Sequence, residues 1–215
     1  MNPPPYRSKH PPTNFLRSVL HAWHGLVHTV VHQRNMRIHV LAGILVGLVG
    51  SGIALGLAEK VTLIFCVLLV LFAEMLNSAL EQLVDLAIQE FDEKARLAKD
   101  IAAAGVLVLA IGTVVIFAAV LVHNAQTITA SAEAIERQVL VGVPLTLAAG
   151  ALMHEANKPV VFDVAMAISS TLLWAVSLTW TESHVFSAMV LGLLIVAMSA
   201  SVVRHRDRRR PLAGS

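Results

Sequence analysis

Glu74, Asn77, Ser78, Glu81 and Asp85 stand at offsets of three, four, seven and eleven residues from the first of them. At about 100° per residue such a set keeps to one side of a helix and forms a polar stripe. The surrounding sequence is apolar, and a carboxylate inside a membrane span costs roughly 2.5–3.5 kcal/mol on insertion scales. Several on one face call for a compensating chemistry, with cations or protons as its currency. Phosphoryl transfer to a lipid hydroxyl would use them all: a base to take the proton, a divalent metal to bridge nucleotide phosphates, and cations to neutralise the transferred group. Glu74, midway along its span, suits the base, Glu81 suits Mg2+, and Lys94 and Lys99 downstream suit phosphate. Two other readings stay open: the carboxylates could be interhelical glue paired with Lys94, Arg96 or Lys99, or they could mark the path of a proton- or cation-coupled transporter. No Gly-rich phosphate loop is present, which excludes a soluble-kinase architecture.

The elements that must position this stripe follow from hydropathy. Of 215 residues, 56% are hydrophobic and 14% charged, a balance that excludes disorder and points to the bilayer as solvent. The expected fold is all-α: a polytopic membrane helical bundle of six spans, at about 37–58, 61–86, 101–123, 138–153, 159–179 and 184–203, preceded by an amphipathic surface helix over 14–33. Residues 1–13, rich in proline, read as a loose tail, and Asn14 is placed to cap the surface helix. That helix carries His21, His24, His28 and His32 on one face, a spacing for which a metal site has to be weighed against plain interfacial polarity. Fourteen of the 16 Lys and Arg fall before the first span, in the 87–100 connection, at Lys158 or in the C-terminal tail, leaving Lys60 and Arg137 for the opposite side. The positive-inside rule then places both termini in the cytoplasm of a multi-pass inner-membrane protein, its basic tail facing anionic lipid headgroups rather than nucleic acid. The stretch HNAQTITASAEAIERQ reads as an external loop, with a module boundary near 125: residues 14–125 hold the stripe, and 126–215 form a three-span extension with thin polar content. In that extension Asp163 reads as a carboxylate favouring a helix N-terminus, and Cys66, the single cysteine, as packing.

The segments EMLNSALEQLVD and KARLAKDIAAAGVLV together resemble the signature of the small prokaryotic diacylglycerol kinase and undecaprenol kinase family, over about residues 14–123. The pattern is Glu74, Asn77-Ser78-Ala79, Glu81 and Asp85, then Ala98-Lys99-Asp100 and the Ala102 to Ala104 run. The resemblance implies a homotrimer of three-span protomers that phosphorylates a membrane alcohol with Mg2+ and ATP at a site shared between subunits. It further implies Glu74 as catalytic base, Asn77 with its neighbour Ser78 at the lipid hydroxyl, Glu81 on the metal, Asp85 in the nucleotide region, and Lys99 with Asp100 completing the polar site. Family members place a metal-binding Glu at the end of the amphipathic helix, ahead of an Asn and an Arg-Ile-His run. This chain has Gln33 there, followed by Asn35 and Arg37-Ile38-His39. A neutral carbonyl in place of a carboxylate weakens metal binding, with His32 or Glu155 as candidate compensators and a catalytically silent scaffold as the limiting case.

Overall fold

The computed structural model describes residues 14–88 and 90–209, so the expected N-terminal tail over 1–13 lies outside the described residues. Helix α1 (Phe15–His32) runs into α2 (Arg34–Ser51), then α3 (Leu57–Ala87), α4 (Glu93–His123), a short α5 (Ala125–Ala130), α6 (Ala132–Met153), α7 (Val160–Ser177) with a 3-10 turn over Leu178–Trp180, and α8 (His184–Arg209). The described residues contain no strand, and the chain is a membrane helical bundle.

Among the described residues five helices are long and apolar enough to cross a bilayer: Leu57–Ala87, Glu93–His123, Ala132–Met153, Val160–Trp180 and His184–Arg208. The expected span over 37–58 is the one that differs. Helix α2 starts early enough to include Arg34 and Arg37 and stops at Ser51, where Gly52 to Gly56 turn the chain toward α3. Its 18 residues cover about 27 Å, a little under the hydrocarbon thickness, and it lies inside the bundle. The stretch expected as an external loop after α4 is helical instead, because α5 and the first turns of α6 take up most of it.

Helix α2 is the hub, flanked by α3 on one side and by α6 and α8 on others. Met36, Val40, Ile44 and Leu48, spaced four apart, are buried along it with Leu145, Ala149, Val190, Leu194 and Ala197. Close approach of α8 depends on the small face of α2. A Cβ built on Gly47 would stand 2.5 Å from Val190 Cγ2, and one on Gly50 would stand 2.8 Å from the Phe186 ring. This is the small-residue logic of membrane helices, in which backbones pack closely because lipid supplies no hydrophobic drive between spans.

Helix α1 keeps the expected amphipathic pattern, with a division along its length. Phe15, Leu16, Val19 and Leu20 are exposed, whereas Val27 and Val30 are buried where α1 meets α8. Asn14 sits at the N-cap position without a side-chain capping bond; its carbonyl takes the Arg17 N–H at 2.8 Å. Asp92, in contrast, caps α4 through the Ala95 N–H at 2.9 Å. Helix α4 packs on α3 alone among the long helices and buries only Val106, so most of its apolar surface faces outward.

Gly47→Leu is expected to lower stability by about 1–3 kcal/mol, since overpacking forces α8 off α2. Unfolding of the full chain in mixed detergent would measure it, and an unchanged midpoint would show that the α2–α8 contact is not tight.

Candidate functional site

The buried face of α3 is built from Leu63, Cys66, Val67, Val70, Leu71, Glu74 and Ser78. Those positions are one helical stripe, apolar for its first five members and then polar without changing face. Glu74 and Ser78 are each 1% exposed, one turn apart, and Glu74 Oε2 and Ser78 Oγ are both buried without a hydrogen-bond partner. Orphaned polar atoms at such depth cost about 1–3 kcal/mol each, which marks the pair as a place where a donor or acceptor is expected to arrive. Asn77 is half-buried beside them.

Toward the end of α3 the stripe emerges. Glu81 is half-buried and accepts a long hydrogen bond, 3.5 Å, from the Gln33 side-chain amide, which stands at the corner between α1 and α2. Sequence distance of 48 residues is closed because α2 and α3 pack antiparallel through the Gly52 turn. One turn on, Asp85 forms an ion pair with Lys99 across the α3–α4 junction. Both line a cavity of about 360 Å³ between the end of α3 and the start of α4, together with Arg96, Asp92 and Glu90. Asp100 points elsewhere, pairing with Arg96 at 3.3 Å along its own helix, and Lys94 is exposed in the first turn of α4. The expected set is thus divided into a buried pair, Glu74 with Ser78, a Gln33–Glu81 contact, and an exposed Asp85–Lys99 pair.

A second cavity, about 220 Å³, lies between α2, α3 and α4 and is lined by Val67, Val70, Gly43, Val114, Phe117 and His39. It reaches Val70, one turn before Glu74, and its walls are almost wholly apolar.

As a divalent-metal site the donor set is small: one carboxylate, Glu81, and one amide, Gln33. Among the described residues no three His, Cys, Asp or Glu side chains converge as ligands. Mg2+ suits such a set, because it commonly takes one or two carboxylates and completes its shell with water and phosphate oxygens. The histidines of α1 assemble only in part. His28 and His32 have ring centroids 4.2 Å apart, and partial burial, followed by the proximity of His32, holds the His28 imidazole below its usual range.

Glu155 is engaged elsewhere than expected of a compensator. Its carboxylate pairs with Arg37 at 2.6 Å, while Arg37 also donates to the Met153 carbonyl at 3.3 Å. Arg208 holds the same loop through the Glu155 carbonyl at 2.6 Å and Asn157 Oδ1 at 2.8 Å. The extension is therefore tied to the turn of α2 that follows Gln33. Nothing in the spacing of single charges along the sequence signals a pair 118 residues apart; the signal was the isolated Glu155 itself at the end of a span.

An integral-membrane helical bundle with carboxylates graded from buried to exposed along one helix defines the class. A family profile described as prokaryotic diacylglycerol kinase matches residues 20–121, and the chain belongs to that family. The segment is 39% identical over 104 residues to a diacylglycerol kinase of Synechocystis sp., a match covering 48% of this chain and 59% of that protein. It is 32% identical over 97 residues to the undecaprenol kinase of Bacillus subtilis, covering 45% and 79%. Identity to the diacylglycerol kinase of Escherichia coli K12 is 30% over 103 residues, covering 48% and 84%. No solved structure matches the chain.

Arg37→Ala is expected to speed amide exchange across residues 154–158 by roughly tenfold, the equivalent of about 1.5 kcal/mol for a charge-assisted hydrogen bond. Exchange mass spectrometry would report it; unaltered protection would mean that Arg208 and Arg204 hold the loop without Arg37.

Proposed function

We propose that this chain transfers the γ-phosphate of ATP to the hydroxyl of a membrane lipid, with diacylglycerol or undecaprenol as the acceptor. The single observation that carries this reading is the orphaned Glu74–Ser78 pair, buried one turn beyond the apolar cavity that ends at Val70. A lipid lying with its chain in that cavity would bring its hydroxyl to Glu74, which takes the proton, while Asn77 and Ser78 orient the oxygen. With water excluded around Glu74, a lipid hydroxyl is the hydrogen-bond partner that would replace its lost hydration. Asp85 and Lys99 line the polar cavity between α3 and α4 and suit a nucleotide, with Lys99 held in place by Asp85, and Lys94 and Asp100 on the first turns of α4 would join them there. Glu81 and Gln33 would hold Mg2+, which supplies charge neutralisation on the phosphates.

Glu74 and Glu81 are about two helical turns, roughly 10 Å, apart along α3, so hydroxyl and metal are not adjacent by helix geometry alone. The reading extends to a trimer, supported by the apolar faces of α3, with Phe65, Leu68, Phe72 and Leu76, and of α4, which the extension leaves outward as it covers α1 and α2. A neighbouring copy on those faces would complete the site. The basic residues gathered at the start of α2, the start of α4 and the end of α8 suit a cytoplasmic placement of that end of the bundle at the inner membrane.

Glu74→Gln, which keeps size and polarity, is expected to lower transfer by about 10²–10⁴-fold without loss of fold. Purified chain in mixed micelles with labelled ATP, Mg2+ and either diacylglycerol or undecaprenol would measure it and identify the acceptor; transfer to neither lipid by a folded wild-type chain would overturn the proposal. Gln33→Glu should lower the Mg2+ concentration needed for half-maximal transfer, because a second carboxylate then faces Glu81. Unchanged Mg2+ dependence would place Gln33 away from the metal.

A further inference from the structure

The family match ends at residue 121, yet a dense buried polar network lies beyond it, between α7 and α8. Asp163, 4% exposed in the first turn of α7, accepts on Oδ2 from Ser201 Oγ at 2.7 Å and from Arg204 Nη2, with His205 Nε2 at 2.8 Å. Arg204, 7% exposed, also donates from Nη1 to the carbonyls of Leu152 at 2.8 Å and His154 at 2.5 Å. Ser201 donates to the carboxylate and not to His205, so the three residues are not a nucleophile relay, which needs serine and histidine bonded to each other.

Asp163 Oδ1 is buried against Lys158 Nζ at 3.4 Å, and Lys158 is itself bonded to the Ala151 carbonyl, so the carboxylate is engaged inside the protein. Burial also holds the Lys158 ammonium below its usual range. Asp163 opens on a cavity of about 560 Å³, within the roughly 300–1,000 Å³ of small-molecule sites. Its two sides are helical stripes, Val164 and Ala167 on α7 facing Met198 and Val202 on α8, and its polar end carries His205 and Arg206. Lys158 and Arg204 pair with Asp163, Arg208 holds the loop after α6 and Glu155 is taken by Arg37, which leaves Arg206 as the cation on the polar end of the cavity. The positive end of α7 adds to the same sign.

We infer that this α7–α8 cavity binds an anionic glycerophospholipid. The phosphate lies at Arg206 and His205, and one acyl chain follows the apolar walls toward the bilayer interior. Free phosphate would satisfy Arg206 and leave the apolar half empty, whereas the surrounding bilayer offers both halves in one molecule.

The full chain, purified in detergent, would be mixed with phosphatidylglycerol or phosphatidylcholine and examined by native mass spectrometry, with and without millimolar inorganic phosphate. Preferential retention of phosphatidylglycerol is expected, resistant to phosphate, reduced about fivefold by Arg206→Gln. Ala167→Trp, which fills the groove, should abolish it, and Arg137→Gln at the opposite end of the bundle should leave it unchanged. Equal retention of both lipids, retention unaffected by Arg206→Gln, or displacement by inorganic phosphate would each overturn the inference. Arg206 is exposed, so its variant carries the test even where Ala167→Trp fails to fold.

Discussion

Burial of the Glu74 carboxyl inside α3 is the constraint to which the neighbouring structure answers. The side chain continues an apolar stripe that packs on α2, so it cannot reach solvent by changing rotamer without leaving the packed face. Insertion at that depth costs roughly 2.5–3.5 kcal/mol, and the missing partner on Oε2 adds to it. The rest of the bundle must supply that energy through packing. Helix α2, with its four-residue spacing of Met36, Val40, Ile44 and Leu48, does so on both flanks at once. A loosened α2 would expose α3, and water beside Glu74 would remove the environment in which its chemistry is distinctive.

The extension bears on that constraint through α2. Helices α6 and α8 cover the faces of α2 that α3 leaves open, and Gly47 and Gly50 set how near α8 can come. At the end of the bundle where Glu81 emerges, Arg37 reaches the loop after α6, and Arg204 and Arg208 reach it from α8. At the opposite end the Ser51 carbonyl takes the Glu182 N–H at 2.7 Å, and Gln138 donates to the Ser177 carbonyl at 3.0 Å. Polar ties at both ends with an apolar seam between them make the second half a brace along the helix that supports the site.

Helix type, order and approximate limits were legible in hydropathy, as was the polar stripe, because both depend on local periodicity. What escaped depends on contacts between distant segments. Arg204 counts as tail charge in the sequence, since nothing local distinguishes it from Arg206 or Arg208; burial against Asp163 does. Asp163 itself reads as a helix-terminal carboxylate, and that much is correct locally, but its four polar neighbours come from α8 and from the loop before α7. The α2 limit was misjudged for a different reason. Ile53, Ala54 and Leu55 extend the apolar run beyond Gly52, and they are apolar because the turn is packed, with Ile53 and Leu55 buried, not because it is helical.

Gln33 gains a physical sense from its position opposite Glu81. Two carboxylates at that corner would repel until a cation arrived, so each copy without metal would hold the α1–α2 corner away from α3 or protonate one group. The amide replaces that repulsion with a weak hydrogen bond, and the corner can close on α3 in the absence of any ion. Closing is further assisted from the other side, where Arg37 is drawn to Glu155 and the Met153 carbonyl one turn along α2. The corner is thereby fixed by protein contacts without any ion. If Glu81 holds Mg2+ as proposed, affinity for it would fall by the loss of one charge, while the cost of organising the remaining ligand would fall too, since Gln33 already bonds to Glu81. On that proposed reading Gln33 would exchange attraction for preorganisation, with the extension that holds Arg37 steadying the same corner.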